Sequence, residues 1–219
     1  MSTRAAFDKA LKELQQDILR MASLVEQAVY DSVQSLVKVD VTEASQVIIG
    51  DDMIDKLFLE IEEKCIKIIA TQQPIARDLR IVITGMKILL NLERMADHAV
   101  DIARSAMCLS GQTLTVKPLE YIPQMARLTQ QMIKDGLDSY VQSDIEKASA
   151  MCALDDDVDY IFAQVFRELI NCMMENPEVV MQSTYLLHVC RYLERIADHA
   201  TNIGEEVIYL VTGEHKELN

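Results

Sequence analysis

Apolar residues recur every three or four positions along most of the chain. Leu11, Leu14, Ile18, Met21, Val25 and Val29 trace one stripe of a helix predicted over about 7–37, the period expected of a helical face turned to a core. The segment KVDVT interrupts it, and a second helix follows to about Ala70. TQQP, ending at Pro74, reads as a corner, because proline removes a helical hydrogen bond and restricts the residue before it. A third helix runs to about Leu109 and stops before Ser110-Gly111. The plan then repeats: a helix to about Gln142, a break at Ser143-Asp144, a helix to about Glu175, a corner at Asn176-Pro177, and a last helix ending near Thr212-Gly213. No segment alternates with the two-residue period of a strand. The pattern predicts an all-α fold of two pseudo-symmetric three-helix antiparallel bundles.

The repetition extends to individual residues. A shift of 104 places Asp31 on Asp135, Asp40 on Asp144, and Ala44-Ser45 on Ala148-Ser149. It also places Asp51, Asp52 and Asp55 on Asp155, Asp156 and Asp159, and Phe58 on Phe162. Further on the shift becomes 101, and LERMADHA (92–99) returns as LERIADHA (193–200). The second copy is therefore three residues shorter around its corner. The boundaries follow: a first three-helix repeat over 1–111, a linker and the start of the second repeat over 112–123, with Pro118 and Pro123, and a second three-helix repeat over 124–219.

Composition narrows the function classes. The chain has 219 residues, enough for a sizeable core, and half of them are hydrophobic. Only 6 Gly and 4 Pro occur, as expected of long helices with few tight turns. A formal charge of −14 argues against nucleic acid and against a polybasic membrane contact. The five cysteines (Cys65, Cys108, Cys152, Cys172, Cys190) form no CxxC pair and read as small buried thiols of a reducing compartment. The N-terminal residues carry no apolar stretch of the signal-peptide kind, and no apolar run reaches the ~18 residues of a membrane span. A cytoplasmic protein is expected.

The candidate chemistry lies in acids that interrupt apolar stripes. Leu79, Ile83, Met86 and Leu90 lead along one face of the third helix to Glu93 and Asp97; Leu187 and Cys190 lead likewise to Glu194 and Asp198. Residues four apart on a helix lie about 5–6 Å from each other, so like charges there repel. Asp51 and Asp55, and Asp155 and Asp159, repeat the spacing on the preceding helices, with no base three or four positions away. Folding the hairpins brings these pairs level. Asp55 and Glu93 are equidistant from Pro74, as are Asp51 and Asp97; Asp159 and Glu194 are equidistant from the Asn176-Pro177 bond, as are Asp155 and Asp198. With helix axes ~8–10 Å apart, each set of four carboxylates can converge on a cation. An all-oxygen set suits hard or borderline ions: Mg²⁺, Mn²⁺, Ca²⁺ or iron. Asp52, Asp101, Asp156 and Asn202 extend the polar strip. His98 and His199 follow the key aspartates by one residue and point about 100° away from them.

Two three-helix repeats, QQPIARDLR (72–80), LERMADHAVDIA, and YLERIADHATNIGEEVIYLVTG (192–213) together resemble the PhoU family of bacterial phosphate-uptake regulators, over essentially the whole chain. Asp101 stands where the first copy would carry the Asn found at 202 in the second. The resemblance implies a cytoplasmic, usually dimeric protein that binds metal at E/D-xxx-D motifs, here Asp51/Asp55, Glu93/Asp97, Asp155/Asp159 and Glu194/Asp198. The metal implied is iron, zinc or another divalent ion. It further implies a non-enzymatic negative regulator of phosphate-starvation signalling and of high-affinity phosphate uptake. Such a regulator would link the ATPase subunit of the phosphate ABC transporter to a phosphate-sensing histidine kinase. The alternatives are a helical-bundle metal-binding or storage protein, or a di-metal carboxylate enzyme. That enzyme class wants Glu-x-x-His pairs projecting into the bundle, and here Glu93 and His98 are five apart.

Overall fold

The computed structural model describes residues 3–111 and 120–218. Among them seven α-helices follow in order: α1 (Thr3–Lys38), α2 (Val41–Gln72), α3 (Arg77–Cys108), α4 (Ile122–Gln142), α5 (Ile145–Cys152), α6 (Asp155–Glu175) and α7 (Val180–Thr212). Among the described residues there is no strand. Most of the expected linker, 112–119, lies outside the described residues. α1, α2 and α3 pack as one three-helix bundle, and α4, α5–α6 and α7 as the other. α3 and α7 pack against each other along their length, and α1 also meets α4. The core is continuous across the two halves, from Leu14, Ile18 and Met21 through Leu92 and Met95 to Leu193 and Ile196.

The duplicated residues build duplicated corners. Val39 and Ser143 both take left-handed backbone, with φ of 53° and 54°. Asp40 and Asp144 follow as N-caps. Asp40 accepts from the backbone N–H groups of Thr42 (2.8 Å) and Glu43 (3.1 Å), and Asp144 from that of Lys147 (3.0 Å). Each satisfies donors that a helix start leaves without a partner. The Asp40 and Asp144 amides in turn bond back to the carbonyls of Ser35 (2.8 Å) and Ser139 (3.0 Å), themselves a matched pair. At the next corners the copies diverge. The first turns through Gln73, at φ 46°, and Ala76, at φ 48°. The second uses a single 3₁₀ turn, Pro177–Val179, with the Asn176 side chain accepting from Glu178 N–H at 3.0 Å.

One expected helix is broken. The pattern predicts a continuous rod from Ser143-Asp144 to Glu175, whereas α5 ends at Cys152 and α6 begins at Asp155. Asp155, Asp156 and Asp157 occupy the first turn of α6. Three consecutive carboxylates repel one another within a helix but are favoured at its N-terminus, where the macrodipole is positive. The matched stretch of α2 carries only two and runs through unbroken. α5 also lies hard against α7: a Cβ on Gly204 would come within 2.6 Å of Cys152 Sγ and 2.8 Å of Met151 Cε. Gly85 marks a similar approach of α3 to α1, where a Cβ would meet Ile18 Cδ1 at 3.1 Å. The cysteines are free; Cys65, Cys152 and Cys190 are buried, but Cys108 is exposed and Cys172 half-exposed. No helix among the described residues is long and apolar enough to cross a membrane.

Candidate functional site

α2 and α3 carry the first acid set side by side, and α6 and α7 the second. Asp51, Glu93 and Asp97 are half-buried and Asp55 is exposed. In the second set Asp155 and Glu194 are only 8% exposed, Asp198 is half-buried and Asp159 exposed. Burial therefore grips the inner rungs and leaves Asp55 and Asp159 at the edge. The electrostatics place the partners across the hairpins. Asp51 is pushed up to about 6 by burial and then by repulsion from Asp55 and Asp97. Glu93 is raised by burial, by Asp97, and across the hairpin by Asp55 and Asp51. Asp155 is raised to about 6 by burial and by Asp198 and Asp159. Glu194 reaches about 7, through burial and then Asp198, with Arg191 opposing. Asp198 is raised by burial and by Asp159.

These carboxylates lie near enough to repel, yet among the described residues no three His, Cys, Asp or Glu side chains converge as a metal-holding group. Arginines engage three of the eight, Glu93, Asp97 and Glu194. Arg94 Nη1 is 3.1 Å from Asp97 Oδ2, and its Nε is 3.3 Å from Glu93 Oε2. Arg191 pairs with Glu194 Oε1. Counting neighbours three and four apart finds the Arg94–Asp97 and Arg191–Glu194 contacts. It misses the adjacent Arg94 reaching Glu93, and Arg104 of α3, whose charge lowers Asp51 from across the hairpin. Asp198 has Arg195 at the right spacing, but no ion pair forms between them within 4.0 Å.

The donor set nevertheless fits a cation in one respect. Asp155 Oδ1 and Glu194 Oε2 are buried with neither a hydrogen bond nor an ion pair, and a buried carboxylate oxygen so placed is destabilising unless a proton or a cation meets it. Glu93 Oε2 is also buried without a hydrogen bond, but the Arg94 guanidinium lies 3.3 Å from it. Of the flanking residues, Asp52 and Asp156 are exposed, and each adds to the repulsion on its preceding aspartate. Asp101 pairs with Arg104 at 3.3 Å. Asn202 turns away from the acids and donates to Asn91 Oδ1 at 3.3 Å.

His98 and His199 belong to a different place. They stack on each other where α3 meets α7, with ring centroids 5.8 Å apart, and Tyr192 stacks on His98 at 5.7 Å. His199 Nδ1 lies 2.9 Å from Asn91 Oδ1; since that oxygen only accepts, Nδ1 carries the proton. Burial lowers the pKa of both rings, that of His199 to about 4 with His98 and Arg94 adding to the effect. Both are neutral at pH 7. A cavity of about 640 Å³ opens beside them. By sequence these histidines are only placed off the acid face, about 100° from the key aspartates. The signal passed over there is that Arg94-xxx-His98 and Arg195-xxx-His199 repeat as faithfully as the acids do, one residue further round the helix.

The comparisons with known proteins agree with this architecture. The PhoU domain profile matches residues 18–106 and again 122–207. The chain is 45% identical over 218 residues to a phosphate-specific transport system accessory protein PhoU homolog from Clostridium acetobutylicum, covering 99% of each chain. A protein of the same description from Rhizobium meliloti is 38% identical, with 95% of this chain and 88% of the relative covered. Among solved structures, PhoU from Pseudomonas aeruginosa superposes with a TM-score of 0.92 at 35% identity, over 95% of this chain and all of the other. The phosphate transport system regulatory protein PhoU from Streptococcus pneumoniae gives 0.90 at 32%, over 97% of this chain and all of the other. With two PhoU domains in tandem and relatives matched from end to end, the chain belongs to the PhoU family.

Proposed function

We propose that this protein is a cytoplasmic, non-enzymatic regulator of phosphate homeostasis that restrains phosphate-starvation signalling and high-affinity phosphate uptake. It would do so as a homodimeric adaptor between the ATPase subunit of a phosphate ABC transporter and a phosphate-sensing histidine kinase. Full-length similarity to proteins described as phosphate-specific transport system accessory proteins carries this reading.

Its cofactors are divalent or trivalent cations held by Asp51, Asp55, Glu93 and Asp97 in one half and by Asp155, Asp159, Glu194 and Asp198 in the other. Mutual repulsion across both hairpins, and in the second half the two partnerless buried oxygens of Asp155 and Glu194, support that assignment. A cation there would relieve the repulsion and tie α2 to α3, and α6 to α7. The oxygen-only donors favour a hard ion.

Deleting the gene should raise expression of starvation-induced genes and phosphate uptake in phosphate-replete medium, and the wild-type gene should restore repression. Unchanged expression and uptake would overturn the regulatory reading. Elemental analysis of freshly purified protein tests the metal separately, and protein carrying none before or after incubation with iron, zinc or manganese would overturn it.

A further inference from the structure

The duplicated phrase Glu-Arg-x-x-Asp-His writes two faces on one helix. Glu93 and Asp97 share a face turned to the neighbouring helix of their own repeat. Arg94 and His98, one residue further on, share a face rotated by about 100°. In the fold that second face meets its duplicate: Arg94, His98, Arg195 and His199 all line the cavity where α3 packs on α7. We propose that this seam cavity binds a small tetrahedral oxyanion, of the phosphate or sulfate kind, once a cation occupies the carboxylates at its Asp51/Asp97 end.

The guanidiniums supply the recognition. Arg195 is exposed and, among the described residues, makes no ion pair within 4.0 Å; its charge acts on Glu194 and Asp198 from a distance, and its guanidinium fork is open to a ligand. A guanidinium fork matches two oxygens of a tetrahedral anion. Arg94 is engaged at 3.3 Å and 3.1 Å by Glu93 and Asp97, whose oxygens a bound cation would take. Cation binding therefore competes for the partners of Arg94 and releases its charge to the cavity. The rest of the lining points the same way. Three guanidiniums, the third from Arg104, face three carboxylates, those of Asp51, Asp97 and Asp101. That balance gives an anion no net attraction. Neutralising Asp51 and Asp97 leaves the wall positive, and a cleft focuses the resulting field. The volume of about 640 Å³ has room for a partly hydrated anion. His98 Nδ1 is buried without a hydrogen-bond partner, so this ring has a nitrogen uncommitted within the protein.

This inference rests on the cation reading, and its test separates the two. Full-length protein is prepared chelated or loaded with micromolar manganese, with metal content measured on each sample. Inorganic phosphate binding is then followed by equilibrium dialysis, with sulfate as a second probe and chloride as background salt. Manganese-loaded protein should bind phosphate at least tenfold more tightly than chelated protein. Arg195→Ala should lose at least tenfold of that affinity while keeping its manganese, because removing a nearby positive charge does not weaken cation binding. Competition by sulfate reads out how far the site favours phosphate; binding of either anion supports the site. Manganese uptake with no anion binding overturns the inference alone. So does equal binding by chelated protein, or unchanged binding by Arg195→Ala. Protein that takes up no manganese overturns the cation reading and this inference with it.

Discussion

Glu194 shows at the scale of one residue what the acid sets impose. It is nearly buried, with one oxygen on Arg191 and the other without a partner. Its carboxyl is raised to about 7 even with that arginine beside it. A folded-state pKa above the unfolded value means that ionising Glu194 costs more in the folded state, so it destabilises the chelated protein at high pH and ceases to do so as pH falls. Glu194→Gln should therefore stabilise chelated protein at pH 7.5 by on the order of 2 kcal/mol. The gain should shrink toward zero by about pH 5, and manganese uptake by the second half should weaken. Urea unfolding of both proteins at the two pH values checks this, and an unchanged or lower stability at pH 7.5 would show that Arg191 outweighs the burial. The acid positions themselves were legible in the sequence, because an acid in an apolar stripe breaks a period. The arginines around them were not. Arg94 reaches an adjacent side chain and Arg104 acts across the hairpin, and neither contact follows from spacing along one helix.

At the scale of elements, punctuation and repetition located nearly every helix. Prolines marked two corners, and the matched Asp40 and Asp144 proved to be caps of matched turns. The break between α5 and α6 was hidden because apolar periodicity continues across it. Only the electrostatic preference of Asp155, Asp156 and Asp157 for a helix start distinguishes that stretch from α2. The glycines separate two demands on a helix. Gly50 lies within α2 with nothing within 4 Å of where a Cβ would stand. Gly50→Ala should stabilise by about 0.5–1 kcal/mol through reduced backbone entropy loss. At Gly204 the added methyl would collide with Cys152 Sγ and Met151 Cε. Overpacking of that kind costs typically ~1–3 kcal/mol, enough to cancel or exceed the propensity gain. Thermal melts should show Gly50→Ala above wild type and Gly204→Ala below it. A rise for both would mean that α5 slides easily away from α7.

At the scale of the whole molecule, duplication has two consequences, and only one could be read from the sequence. Each repeat brings its own acids level across its own hairpin, and distances from Pro74 and Pro177 predict that. The meeting of the two basic faces at the α3–α7 seam depends on how one repeat docks on the other. That contact joins residues about a hundred positions apart, which no local period encodes. The docking also sets how pH and cation binding combine. Lowering pH from 7.5 to 5 relieves the raised carboxyls of Asp51, Asp155 and Glu194, which favours the chelated fold. It opposes the fold at His98 and His199, whose lowered pKa values make protonation unfavourable in the seam. Chelated protein alone therefore mixes two opposite trends. The difference between loaded and chelated protein cancels the histidine contribution to the extent that it is common to both states. Metal at a hundred times its dissociation constant adds about 2.7 kcal/mol, or roughly 5–10 °C in Tm for a chain of this length. That gap should be widest at pH 7.5, where the carboxylates are ionised and most repulsive, and should narrow toward pH 5, where protons compete for the same oxygens. Scanning fluorimetry of loaded and chelated protein at half-unit pH steps would trace it. A gap that is absent at pH 7.5, or constant down to pH 5, would mean that these eight carboxylates do not hold the metal.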